Sequence, residues 1–194
     1  MSSISENSKR KILNVGCGED TYGTHFVDLY PTRKEVIKCN VDKEKLPFPN
    51  NYFDEIYSKN LLEHLRNPGF FLEEAYRVLK KGGKIVLITD NAGFWEFHVL
   101  GTHVRPKLRI KRLKFYEGMG ELDTHYCLYT KEHLVNHLRF VGFRIVKVEF
   151  IDFNRGKEEL GKFRILLDIF LRILRIFKIL ENFSYPRIKI IGMK

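Results

Sequence analysis

The residues most able to do chemistry cluster near the N-terminus. The apolar run Ile12–Val15 leads into Gly16-Cys17-Gly18 and at once into Glu19 and Asp20. A tight glycine turn lets a ligand approach bare backbone. Two further carboxylates follow strand-like runs, Asp28 in "HFVDLYP" and Asp42 in "CNVDKEKLPF". Asp28 could accept both hydroxyls of a ribose, and Asp42 could face an adenine edge with Leu46 as apolar cover. A phosphate loop is excluded, because Thr24 rather than lysine follows Gly23. A dinucleotide site fits poorly, since Glu19 and Asp20 would repel a diphosphate and Thr21 holds the third glycine position. A cationic nucleoside without phosphate suits the stretch, and S-adenosylmethionine (SAM) is such a ligand.

Proton-transfer candidates lie further along: His64 in "LLEHL", Asp90, His98 and His125. Each is expected near the ligand edge, where a base could serve a hydroxyl acceptor. His133 and His137 have the i, i+4 spacing of metal ligands, but no acidic or Cys third ligand accompanies them, so we read them as solvated and expect no metal site.

Alternating strands and helices must position these groups. Strand-like runs occupy 12–15, 25–29, 35–41, 53–58, 84–89, 143–151 and 187–192. A helix is expected from Pro68, with Phe70, Phe71, Ala75, Val78 and Leu79 on one face, stopping at Gly82-Gly83. A second opens at Thr130 as N-cap and closes at Gly142. Strands separated by helices imply a parallel, doubly wound sheet with its ligand at the strands' C-terminal ends.

At this point the chain resembles the class I SAM-dependent methyltransferases, of the UbiE-like small-molecule type. "ILNVGCG" is similar to the family's first motif, "VDLYP" to its ribose motif, and "NVDKEKLPFPNNYFDEIYSKNLLEHL" to its adenine segment and fourth strand. "EEAYRVLKKGGKIVLITD" and "HYCLYTKEHLVNHLRFVGFRIVKVEF" continue the likeness. The resemblance implies an α/β, Rossmann-like, seven-stranded mixed sheet with the last strand antiparallel. It implies a cofactor set of Asn14, Gly16, Cys17, Gly18, Asp28, Leu29, Asp42, Lys45, Leu46 and Ser58, and an acceptor side of His125, His64 and Asp90. Asn14 replaces the acid that often precedes the glycines. Asp28 follows Gly18 too closely for a full first helix, so the Glu19–Thr24 loop should replace it. "SKNL" after the fourth strand differs from the motif of enzymes that methylate exocyclic base amines.

With 194 residues, one domain is the simplest organisation, its SAM-binding core at about 11–90 and insertions at about 92–124 and 157–182. Residues 1–96 balance their charges, so 97–194 hold the whole net +10. The basic run 105–114 could grip an anionic acceptor or RNA, or stand solvated. "KFRILLDIFLRILRIFKIL" reads as a basic-striped amphipathic helix, fit for the core, a homodimer or a membrane surface. No apolar run is long enough to span a bilayer, and the polar start lacks a secretory h-region. Three widely spaced cysteines without CxxC pairing fit a reducing cytoplasm. The expected acceptor is small or lipid-linked, with nucleic acid or protein, or a non-catalytic SAM-binding module, as alternatives.

Overall fold

The computed structural model describes residues 10–95, 125–152 and 180–194, together with Ile169, Phe170 and Ile173. Seven strands form one sheet: β1 (Ile12–Val15), β2 (His25–Asp28), β3 (Val36–Lys38), β4 (Phe53–Lys59), β5 (Leu79–Asp90), β6 (Arg144–Ile151) and β7 (Arg187–Met193). Their order is β3-β2-β1-β4-β5-β7-β6. The first five run parallel, and β7 pairs antiparallel with both β5 and β6, as the resemblance implied. The C-terminal ends of β1, β2, β4 and β5 thus share one edge.

Helices α1 (Pro68–Val78) and α2 (Lys131–Val141) pack on one face of the sheet. Phe71, Leu72, Ala75 and Val78 of α1 and Leu134 and Leu138 of α2 bury against Leu13, Val15, Ile56, Ile85, Leu87, Ile188 and Ile190. The two helices meet at Gly142, where an added Cβ would lie 3.3 Å from the Tyr76 ring. Gly142 also closes α2 in the left-handed conformation, and Thr130 caps it by accepting from the His133 amide.

Several expected boundaries moved, most of them by one residue. Helix α1 ends at Val78 rather than at Gly82-Gly83, and Leu79 already pairs with Phe53 as the start of β5. The ammonium of Lys194 explains the early stop: its Nζ donates to the Tyr76 and Leu79 carbonyls at 2.6 and 2.8 Å, satisfying helix-end acceptors that a glycine cap would otherwise serve. Strand β3 ends at Lys38 instead of Val41, because Lys43 and Glu44 donate to the Asn40 carbonyl and turn the chain. Between β1 and β2 only turns occur, as the short Gly18–Asp28 spacing suggested.

A short helix, α3 (Glu181–Ser184), precedes β7. Most of the expected helix over 157–182 lies outside the described residues, as do His98 and the basic run 105–114. Ile169, Phe170 and Ile173 are helical and exposed, at 51, 56 and 49%. Among the described residues no helix is long and apolar enough to cross a membrane.

Glu74 and Arg77 tie α1 to the loop beneath it. Glu74 accepts from the Leu46 amide at 2.9 Å and from Arg77, which also donates to the Leu46 and Phe48 carbonyls. The hydrogen bond from Arg77 is the main reason the Glu74 carboxyl sits below its usual range. Its stabilisation is therefore complete above the unfolded glutamate value of about 4.3 and is lost as pH falls through the lower folded value. We expect Glu74→Gln to lower the urea midpoint at pH 7, with the gap from wild type closing below about pH 4. A gap that stays constant with pH would show that the ion pair contributes nothing.

Candidate active site

The site begins with the turn that leaves β1. Gly16 and Gly18 have φ of +67° and +49°, the left-handed region where a side chain is strained. The Gly16 and Cys17 amides both donate to the Val27 carbonyl, at 2.9 and 3.3 Å, folding the turn over the end of β2. There Asp28 receives the Gly18 amide on one carboxylate oxygen and the Tyr30 amide on the other, each at 2.8 Å. Each oxygen retains a second acceptor direction. The side chain is locked by backbone while still able to take a ligand's hydroxyls.

Asp42 is held in the same manner from another segment. Its oxygens accept from the Arg66 and Asn67 amides at 3.2 and 2.9 Å, joining the turn after β3 to the start of α1. Both acids line one cavity of about 360 Å³. Its wall comprises Gly16, Gly18, Asp28, Leu29 and Tyr30 from the β1–β2 region and Cys39, Asn40, Val41, Asp42 and Lys43 after β3. After β4 come Asn60, Leu61, His64, Leu65 and Arg66, and Tyr126 completes it. Burial pushes the Cys39 thiol up to about 11, so it serves as an apolar neutral group rather than a nucleophile.

Half of the expected cofactor residues line that wall: Gly16, Gly18, Asp28, Leu29 and Asp42. The structure places the other five elsewhere. Asn14 is buried and donates to the Tyr22 carbonyl at 3.0 Å, pinning the β1–β2 loop. Cys17 is buried, and its thiol donates to the Gly18 carbonyl at 3.6 Å. The Ser58 hydroxyl donates across the sheet to the Val15 carbonyl at 2.9 Å. Lys45 is exposed, and Leu46 is buried under α1, while Val41, Leu61 and Leu65 are apolar residues in the cavity wall.

The acceptor-side candidates do converge, in an order the chain did not reveal. His64, from a 3₁₀ turn spanning Leu62–His64, reaches the cavity wall. The His125 ring stands behind it, 4.6 Å away between centroids and perpendicular, with its side chain only 6% exposed. Asp90 lies beyond, its Oδ2 3.6 Å from His125 Nδ1, and Arg187 Nε is 3.8 Å from the other oxygen. His64 thus lines the cavity, and His125 does not. His133 and His137 are exposed on α2, the His137 ring 6.0 Å from that of Tyr129.

Residues missed from sequence include Asn60, Leu61 and Tyr126. Asn60 adopts φ +53° where β4 ends, a conformation asparagine tolerates better than most residues. Leu61 packs so closely on the turn that a Cβ at Gly16 would lie 2.8 Å from its Cδ1. Tyr126 stacks under the Arg66 guanidinium, 4.6 Å from the ring centroid. Its one sequence signal was adjacency to His125.

Comparison with known proteins carries the geometry to a family. Residues 25–87 match the methyltransferase domain model. An uncharacterized protein of Methanocaldococcus jannaschii, MJ1123, is 36% identical over 151 residues, covering 72% of this chain and 67% of that protein. A SAM-dependent methyltransferase from Archaeoglobus fulgidus superposes with a TM-score of 0.62 at 20% identity, over 96% of this chain and 87% of that one. This chain belongs to the class I SAM-dependent methyltransferases. The chloroplastic 2-methyl-6-phytyl-1,4-hydroquinone methyltransferase of Arabidopsis thaliana is 45% identical over 60 residues, though the match spans only 18% of its length.

Methyltransferases of this class use SAM, and the cavity fits it. Its volume lies within the range of about 300–1,000 Å³ of small-molecule sites. The side-chain-free turn admits close approach, and two backbone-anchored carboxylates share the wall. Gly16→Ala would place a methyl group against Leu61 in a left-handed backbone. We expect the variant to lose about 1–2 kcal/mol of stability by urea unfolding and most of its affinity for SAM by calorimetry. Wild-type values for both would show that the turn tolerates a side chain.

Proposed function

We propose that this methyltransferase moves the methyl group of SAM to an oxygen or nitrogen of a small or lipid-linked acceptor, with His64 as the general base. The observation that supports it best is the shared wall: His64 lines the same cavity as Asp28 and the glycine turn, with His125 and Asp90 stacked behind it. When bound, SAM supplies a methyl group activated by sulfonium, which leaves as a neutral thioether. The chain's task is alignment, worth about 7–11 kcal/mol in well-oriented cases. Asp28 would take the ribose hydroxyls, and the turn after β3 with Asn40–Lys43 would lie along the adenine.

As the acceptor's lone pair forms the new bond, its proton passes to His64. Transfer of this kind contributes about 10²–10⁴-fold. His125 and Asp90 orient His64 and offset the charge it gains. The partial match to a hydroquinone methyltransferase supports a small-molecule acceptor without choosing the atom methylated, and exposed Ile169, Phe170 and Ile173 support access to a lipid surface.

Two variants separate donor from acceptor roles. We expect Asp28→Ala to weaken SAM binding by about 10- to 100-fold in calorimetry, the value of about 1.5–3 kcal/mol for hydrogen bonds to a charged group. His64→Ala should leave SAM affinity within about threefold, yet lower methyl incorporation from labelled SAM into fractionated extract by about 10²-fold or more. Unchanged binding in the first would remove Asp28 from the site. Full incorporation in the second would remove the base.

A further inference from the structure

One buried carboxyl next to the reacting cluster has no part in the chemistry just described. We propose that Glu63 is a positioning residue that fixes His64 and His125 against each other at the cavity wall. It rests on the reading of His64 as the acceptor-side base. Glu63 is 1% exposed, in the 3₁₀ turn immediately before His64. Its Oε2 accepts from the hydroxyl of Thr89, itself fully buried in β5, at 2.7 Å. Its backbone carbonyl accepts from the Tyr126 and Cys127 amides at 2.8 and 3.4 Å. The side chain therefore ties the segment carrying His64 to the end of β5, while the main chain ties it to the segment carrying His125.

Those contacts join three pieces of chain that are far apart in sequence. Residues 125–127 come from beyond the insertion, yet they dock on Glu63 and run beside the end of β5 through the Asn91–Tyr129 bridge. Charged and titratable groups surround the pair: Glu63 from the turn, Asp90 from β5, Arg187 from β7, Arg66 with Tyr126 at the cavity, and Tyr129 with Cys127 beside Glu63. Burial pushes the Glu63 carboxyl up, opposed by the Thr89 hydroxyl, backbone amides and the charge of Arg187. A polar group is retained here at that expense, where an apolar residue would fill the space without desolvation. Its hydrogen bonds are the feature that an apolar residue could not supply.

The test reads the two imidazoles directly and needs no acceptor. Histidine ring resonances of His64 and His125 would be followed by NMR across pH 5–9 in the wild type, Glu63→Ala and Glu63→Gln. Glutamine keeps a carbonyl oxygen for the Thr89 hydroxyl. We expect Glu63→Ala to move the titration midpoints or ring shifts of both histidines, by about half a pH unit for the midpoints, and Glu63→Gln to restore values near wild type. Spectra of Glu63→Ala that superpose on wild type overturn the proposal, as does a glutamine variant no closer to wild type than alanine. If Glu63→Ala does not fold, Thr89→Val removes only the anchoring hydroxyl: a shift in both histidines supports the proposal, and unchanged resonances overturn it. Calorimetry with S-adenosylhomocysteine on the wild type is scored separately. Failure there sinks the functional reading and leaves the histidine result interpretable.

Discussion

The site depends on one backbone event: the Gly16 and Cys17 amides closing on the Val27 carbonyl. That closure needs a left-handed residue at position 16, and Leu61 leaves no space there for a side chain. Once closed, the turn brings the Gly18 amide to Asp28, and the carboxylate is fixed by the same residues whose ligand it would hold. Positioning by backbone costs no side-chain entropy when a ligand arrives. A flexible acid at the same place would have to be ordered anew each time.

The missing first helix makes this economy necessary. In its place, Arg33 donates to the Glu19 and Asp20 carbonyls, and Asn14 holds the Tyr22 carbonyl. The Tyr22 hydroxyl reaches the buried Glu55 at 2.9 Å, which also pairs with Arg10 and Lys84. Polar groups thus secure a loop that a packed helix would otherwise secure by apolar burial. Hydrogen bonds to charged partners suit that task, since each buried acceptor left unmatched would cost about 1–3 kcal/mol.

Much of this was legible in the sequence, for identifiable reasons. Strand positions, the Thr130 cap and the Gly142 stop depend on local pattern, and local pattern is what a sequence displays. The end of α1 was misjudged because its cap comes from Lys194, more than a hundred positions away. Leu46 looked like adenine cover because it follows Asp42 closely, yet the Glu74–Arg77 pair draws it under α1. Asn14 and Ser58 carry polar groups at the ligand edge, but both satisfy buried backbone, a demand that competes with ligand binding and is invisible in one dimension. The pairing of His64 with His125 was equally hidden: composition named the histidines, and only the docking of residues 125–127 on Glu63 sets which one faces the cavity.

A difference between the two sides of the cavity follows from chain connectivity. Every wall residue suited to the donor lies between Gly16 and Arg66, on consecutive strands and turns, a stretch the family match largely covers. On the proposed reading the acceptor side takes His64 from that stretch but its surroundings, Thr89 and Asp90, His125 and Tyr126, and Arg187, from three separated segments. The chain between Asp90 and His125 rejoins this side through the Tyr126 and Cys127 amides on Glu63, away from Asp28 and the glycine turn in sequence. The donor pocket can therefore stay constant while the acceptor changes, and likeness over residues 25–87 carries information about the cofactor and little about the molecule that receives the methyl group.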